Sequence, residues 1–472
     1  MNIVARNKIS SKLKNPAYEI GYYSYTNRWH SLNKRQHTNR KINIMKIIFI
    51  FILASIIGFS SLYAQEINLK KQALNEFKNE HYDKSIELLE KALEQSPNDA
   101  EIYYYLGFFN HYRAYDSRPL EGYDFDYTEK IFEYLEKAIE LNPNYGDAKY
   151  FYGAECSGNA FLAMQNYNLD KLKYFYKKAY DKGAYPNWLL EFGENILNSC
   201  DKDAILFVGG NADFDVCTYL QLHKNFRNDV TVIPIGNIDR PWYVKFLKDG
   251  LKNGVTPLKI NLTNNQIYDI HPFKWVTTTV SIPISKSNSK KYNTENSFKW
   301  KIIPDLKSER KHSKIKGEKV KYRTYLSPQR AILLQIVQNN FNERPIFFSN
   351  LANPIFFGGL NENFSNYGLV SKLTPIKTEN TEFKIDYSKI ESLLQKEKLQ
   401  NFPTIKENDI PRISGITFMY HNSLMKLSEH YRTEGKEKEL KNLTKFYSKY
   451  LAIEFKPDSE KKYLDDLKSD KK

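Results

Sequence analysis

The chain has 472 residues, 41% of them hydrophobic and 26% charged, with a formal net charge of +15 and three cysteines. Residues 1–64 hold ten Lys/Arg against Glu19 alone, so the remainder carries about +6, ordinary for its length, and a nucleic-acid partner is excluded. Cys156, Cys200 and Cys217 lack C-x-x-C spacing, which excludes a zinc site or a disulfide framework and leaves buried free thiols as the expected state.

Residues 1–44 carry nine Lys/Arg and no apolar periodicity, and read as an untranslated start or a disordered leader. Met45-Lys46, the apolar run Ile47 to Gly58, then Ser60-Ser61-Leu62-Tyr63-Ala64 and Gln65 follow the order of an export signal. The signal spans 45–64. An uncleaved anchor is the alternative, because the run approaches the roughly 20 residues that cross a bilayer. Ser60, Ser61 and Ala64 thin the apolar character where an anchor needs more of it, which favours cleavage. The expected location is periplasmic or secreted, membrane-peripheral at most once the signal is removed.

From 65 to 200 the pattern is helical. Tyr82, Ser85, Leu89, Ala92 and Pro97 are followed by Ile131, Leu135, Ala138 and Pro143 at the same internal offsets. Tyr103, Leu106 and Gly107, then Tyr152 and Gly153, open the next helices in similar fashion. Small residues let two helices approach closely, and each proline ends a helix where the chain must turn. This spacing resembles the tetratricopeptide repeat over residues 66–182, as three units. An insertion falls in Arg113 to Tyr127, the third unit around Leu172, Tyr176 and Ala179 lacks its proline, and Trp188 to Leu197 supplies a capping helix. Such stacks bind a peptide or protein on their concave face.

The texture changes at residue 201, and an α/β domain is expected over 201–376. Ala204 to Val208 and Asp229 to Ile235 are short apolar runs typical of strands buried on both faces, with helical spacing between them from Val216 to Phe226. A helix over Pro241 to Leu251 and a third strand over Leu258 to Leu262 complete the unit. Pro328 to Phe341 and Arg344 to Ser349 add a helix and a returning strand. Alternating strands and helices predict a parallel, Rossmann-like sheet. Residues 286–323, with 13 Lys/Arg against four acidic residues, form a basic excursion, and 377–472 a helical C-terminal segment: Ser388 to Lys398, Ile416 to Glu434 and Glu437 to Phe455, with Gly435 between the last two.

The order Ala204-Ile205-Leu206-Phe207, a Gly/Asn/Asp turn, Tyr219-Leu220-Gln221, Trp242-Tyr243, Asn342-Glu343-Arg344-Pro345-Ile346-Phe347-Phe348 and Tyr367-Gly368-Leu369-Val370 resembles the soluble C-terminal region of a bacterial membrane-protein family. That family is related to protein O-mannosyltransferases, and the likeness covers residues 195–376. Its membrane-embedded transferase portion has no counterpart, so sugar transfer is not implied. The family turn Gly-Asp-Asn-Asp-Thr here reads Gly210-Asn211-Ala212-Asp213-Phe214, which thins its oxygen ligands.

In open α/β sheets ligands lie beyond the carboxyl ends of the strands. That rule selects Asn211, Asp213, Asp215, Asp239, Arg240 and Trp242 as candidate ligand-binding residues. Asp213 and Asp215 also suit capping of the helix that follows, and Arg240 a surface pair with Asp239. No H-E-x-x-H, G-x-S-x-G or phosphate loop occurs, so no catalytic set, metal or cofactor is expected. His223 and His271 are expected to be structural. The leading expectation is an exported scaffold whose repeats bind a protein or peptide; the alternative is a carbohydrate-binding or carbohydrate-active accessory protein of the cell envelope.

Overall fold

The structure is a computed structural model that describes residues 68–117, 127–252, 254–308, 322–377, 384–406, 410–452 and 457–468. The expected leader and the expected export signal at 45–64 lie outside the described residues.

Among the described residues seven helices come first: α1 (68–78), α2 (Tyr82–Gln95), α3 (Ala100–Ser117), α4 (Thr128–Leu141), α5 (Gly146–Gln165), α6 (Leu169–Asp181) and α7 (Asn187–Ser199). The second helix of each pair buries one stripe at helical spacing. In α2 the stripe is Ser85, Ile86, Leu89 and Ala92; in α4 it is Ile131, Phe132, Leu135 and Ala138; in α6 it is Leu172, Tyr176 and Ala179. Close approach explains the small residues. A Cβ on Gly107 would lie 2.6 Å from the Leu135 side chain, and one on Gly153 would lie 2.9 Å from Ala184 Cβ. Part of the predicted insertion lengthens α3, which runs to Ser117.

Beyond α7 the elements are β1 (Ile205–Val208), α8 (Asn211–Lys224), β2 (Thr231–Pro234), α9 (Pro241–Asp249), α10 (Asn264–Tyr268), β3 (Phe273–Lys274), β4 (Thr278–Pro283), α11 (Lys286–Tyr292), β5 (Ser297–Ile302), β6 (Asp305–Ser308), β7 (Tyr322–Leu326), α12 (Pro328–Asn340), β8 (Ile346–Ser349), β9 (Phe364–Asn366), β10 (Val370–Leu373) and β11 (Lys384–Ile385). The main sheet has six strands in the order β11-β9-β10-β8-β1-β2. β1 runs parallel to β2 and β8, with Ile205 opposite both Thr231 and Ile346. All four residues of β1, β2 and β8 are buried, as expected for strands covered on both faces.

Two expectations are corrected. The sheet is mixed rather than parallel, because β10 is antiparallel to β8 and β9. The connection from β9 to β10 is the short turn Tyr367-Gly368-Leu369, closed by a Tyr367 N–H to Val370 C=O bond of 2.8 Å, and a parallel crossover needs a dozen or more residues. The stretch Leu258 to Leu262 forms no strand. The side chain of Asn340 on α12 accepts from Lys259 N–H and donates to Lys259 C=O, and Leu258 N–H donates to Leu247 C=O, so the segment bonds to α9 and α12 instead of a sheet.

The basic excursion is not uniformly polar. β5 pairs with β4 and alternates buried Phe298, Trp300 and Ile302 with exposed Lys299 and Lys301, and Phe298 packs 5.0 Å from the Phe341 ring. Residues 309–321 of it lie outside the described residues. The C-terminal segment holds α13 (Tyr387–Leu393), α14 (Ile410–Thr433), α15 (Glu437–Phe446), a single π-turn at Tyr447–Leu451, and α16 (Pro457–Lys468). Gly435, at φ 66°, separates α14 from α15, as its sequence position implied. This segment folds back on α7. Glu191 accepts from the Asn401 and Phe402 N–H groups, and Asn195 donates to Lys398 C=O and Tyr420 Oη.

Candidate ligand cleft between the repeats and the sheet

The helices α5 and α6 pack directly on α8, and this contact sets the site. Phe161 of α5 stacks on Phe214 of α8 with centroids 5.5 Å apart and planes 3° from parallel. Ser157 Oγ donates to Asp215 Oδ1 at 2.6 Å and Tyr176 Oη donates to the same atom at 3.4 Å. Between the two halves remains a cleft of about 150 Å³. Gly209, Gly210 and Asn211 beyond β1, and Gly236, Asn237 and Arg240 beyond β2, form one wall. Ala154, Ser157 and Phe161 of α5 and His111 of α3 form the other. The strand ends selected by sequence are therefore covered by the repeats.

The six candidate residues take four kinds of position. Asn211 and Arg240 line the cleft. The side chain of Arg240 makes no hydrogen bond or ion pair among the described residues, so the expected pairing with Asp239 is not formed. Asp239 is exposed and stands outside the lining. Trp242 is buried behind Phe161, edge-on with centroids 6.3 Å apart.

Asp213 and Asp215 are buried supports. Asp213 is fully buried at the third position of α8, where its carboxylate accepts from the N–H groups of Gly209, Gly210 and Phe214 at 2.9, 2.9 and 3.1 Å. It closes the amino end of α8 on itself, the capping alternative weighed from sequence. Burial pushes its carboxyl above the ordinary range, and hydrogen bonds from the Gly209 and Gly210 N–H groups and the Ser349 hydroxyl oppose that rise. Asp215 ties the repeats to the sheet through Ser157 and Tyr176.

Sequence reading passed over His111. Its Nδ1 lies 2.8 Å from Oε2 of the buried Glu155, whose Oε1 accepts from Thr128 Oγ1 at 2.7 Å. Positions 111 and 240 are remote in the chain, so only tertiary packing brings them to one cleft. His223 is structural, with Nε2 at 3.0 Å from Lys173 C=O and its ring stacked on Tyr219, and burial lowers its pKa. The motif Asn342-Glu343-Arg344-Pro345 lies at the amino ends of the strands, away from the cleft. There Arg344 donates to the carbonyls of Asp203 and Ala204 and to Thr231 Oγ1 at 2.8, 3.0 and 2.7 Å.

A row of aromatic rings crosses the first helices of the three pairs and leads to the cleft. Phe77 of α1 lies 5.2 Å from Phe108 of α3, Phe108 lies 4.6 Å from Phe151 of α5, and Phe151 lies 5.8 Å from His111. Tyr112, 39% exposed, borders the row at 4.8 Å from Phe108. Among the described residues no three His, Cys, Asp or Glu side chains come together as a metal set. No described helix is long and apolar enough to cross a membrane.

Comparison with known proteins agrees with this division into two architectures. Residues 75–111 match the family model of the TPR repeat, from the first of the predicted units into the opening helix of the second. Residues 189–322 and 273–394 match the TMEM260-associated domain 2, from α7 through the six-stranded sheet to α13. Neither match reaches half of the chain. No curated protein matches. Among solved structures, the first TPR of Spaghetti (RPAP3) bound to the HSP90 peptide SRMEEVD is similar over 26% of this chain and 82% of that chain, at 19% identity and a TM-score of 0.19.

Proposed function

We propose that this chain is an exported interaction protein whose helical repeats dock a protein or peptide partner along the face formed by α1, α3 and α5. The observation that carries the reading is the row Phe77, Phe108, Phe151 with Tyr112 at its border, which puts aromatic surface on the face that repeat stacks use for binding. The six-stranded sheet then serves as a docked, Rossmann-like companion, a reading supported by the β1-α8-β2 order. Photocrosslinking tests it. A benzoylphenylalanine at position 112 is expected to capture a defined partner in cells, whereas the same group at the exposed Tyr174 on α6 captures none; equal capture from both positions, or none from either, ends the proposal. Export predicts a mature chain starting at Gln65. Recovery of the intact chain from the cytosol would contradict it.

A second reading, a glycan-binding accessory role in the envelope, is favoured by one observation. Asn211 and Arg240, beyond the carboxyl ends of adjacent strands, line one cleft with Phe161. Amide and guanidinium donors next to an aromatic face suit a hydroxylated ring.

A further inference from the structure

We infer that the cleft between α5 and the carboxyl ends of β1 and β2 binds a compact hydroxylated anion, a small carboxylate or phosphate ester that also bears hydroxyl groups. The inference rests on the second reading above, that this cleft is a ligand site, and adds the charge and size of what enters it.

The glycines of the wall point to a ligand. Gly209 has a packing reason to be bare, because an added Cβ would lie 2.6 Å from the Leu351 carbonyl oxygen. Gly210 and Gly236 have none: a Cβ at either would meet no protein atom within 4 Å, and neither has φ in the left-handed region. Glycine loses more conformational freedom on folding than alanine does, so a bare position with no internal use is a cost. What the two glycines leave is room at the strand ends, where something outside the chain can approach the backbone closely.

The charge follows from Arg240. It is half-buried, lines the cleft, and has no partner for its guanidinium among the described residues. Among the described residues, no Asp or Glu lines the cleft. The buried carboxylates of Asp213, Asp215 and Glu155 are held on donors of their own, Asp213 on Gly209 and Gly210, Asp215 on Ser157 and Tyr176, Glu155 on Thr128. Guanidinium offers two parallel donors that suit carboxylate or phosphate. Ser157 donates its hydroxyl hydrogen to Asp215, which leaves its oxygen to accept, while the amides of Asn211 and Asn237 can donate and accept. That mixture suits hydroxyl groups next to the anion. A volume of about 150 Å³ falls below the roughly 300–1,000 Å³ of drug-sized sites, so the cleft has room for one compact unit.

Calorimetric titration of the full chain with glucuronate, glycerol 3-phosphate, glucose and inorganic phosphate tests the inference, alongside Arg240→Gln, Gly210→Ala and Gly236→Ala. Glucuronate or glycerol 3-phosphate is expected to bind the parent chain, with glucose and inorganic phosphate about tenfold weaker or worse. The tighter of the two anions identifies the group recognised. Each alanine variant is expected to lose about tenfold in affinity while its thermal midpoint without ligand is unchanged or raised, which separates blocked access from damaged folding. Arg240→Gln is expected to erase the preference for charged over neutral probes. Glucose binding as tightly as the anions overturns the charge assignment and leaves the cleft reading standing. Heat from none of the probes overturns both, and alanine variants that bind like the parent overturn the argument from the glycines.

Discussion

Asp213, in the first turn of α8, and Asp229, just before β2, are both acidic, and their surroundings give them opposite properties. Asp213 is fully buried among three backbone N–H donors. Asp213→Ala strands buried N–H groups at the amino end of α8, and the expected loss is about 2–3 kcal/mol in denaturant unfolding. Asp229 is held by the guanidinium of Arg227 through two bonds of 2.8 Å, which brings its carboxyl down to about 2. A depressed folded-state pKa contributes stability that is present above the ordinary carboxyl range and lost as pH falls toward the folded value. The loss is expected between about pH 4 and about pH 2, worth about 1 kcal/mol after allowance for solvent screening at this partly exposed pair. Unfolding midpoints of Asp229→Asn measured across that interval should be flatter than those of the parent; parallel curves would remove Arg227 and Asp229 from the acid response.

At the level of elements, close approach and backbone clamps decide what packs where. Gly107 admits Leu135 between α3 and α4, so Gly107→Val overfills the contact and is expected to cost about 1–3 kcal/mol, read as a lower denaturation midpoint with unchanged helical dichroism. Arg344 gathers the amino ends of β1 and β2 through two carbonyls and Thr231. Its planar fork has no equivalent in lysine, so Arg344→Lys is expected to cost about 2 kcal/mol or more; a conservative replacement that leaves stability unaltered would refute the clamp.

For the whole molecule, the repeats and the sheet form one body. Their buried residues belong to one continuous cluster that runs from Ala73 to Leu467. Thermal unfolding is therefore expected to be a single transition, whether followed by helical dichroism or by tryptophan fluorescence. Asp215→Ala leaves the Ser157 and Tyr176 hydroxyls without their shared acceptor at the junction, with an expected cost of about 2–4 kcal/mol and a separation of the two signals. Signals that remain superimposed in that variant would place the coupling elsewhere, for instance at the Phe161 and Phe214 stack.

Local chemistry by itself determined the helical pairs, the buried strands β1, β2 and β8, and the glycines and prolines that punctuate them. Each of these depends on residues a few positions apart, which fixes an apolar stripe or a turn wherever the segment lies. It also pointed to the loops after β1 and β2, because ligand ends of parallel strands follow from chain direction. Tertiary structure alone decided the rest. Whether Leu258 to Leu262 joined the sheet depended on Asn340, and whether the strand ends faced solvent or a second wall depended on Ser157 meeting Asp215. His111 and Arg240 share a cleft only because α5 lies on α8, and no periodicity in one sequence records a contact between segments that remote.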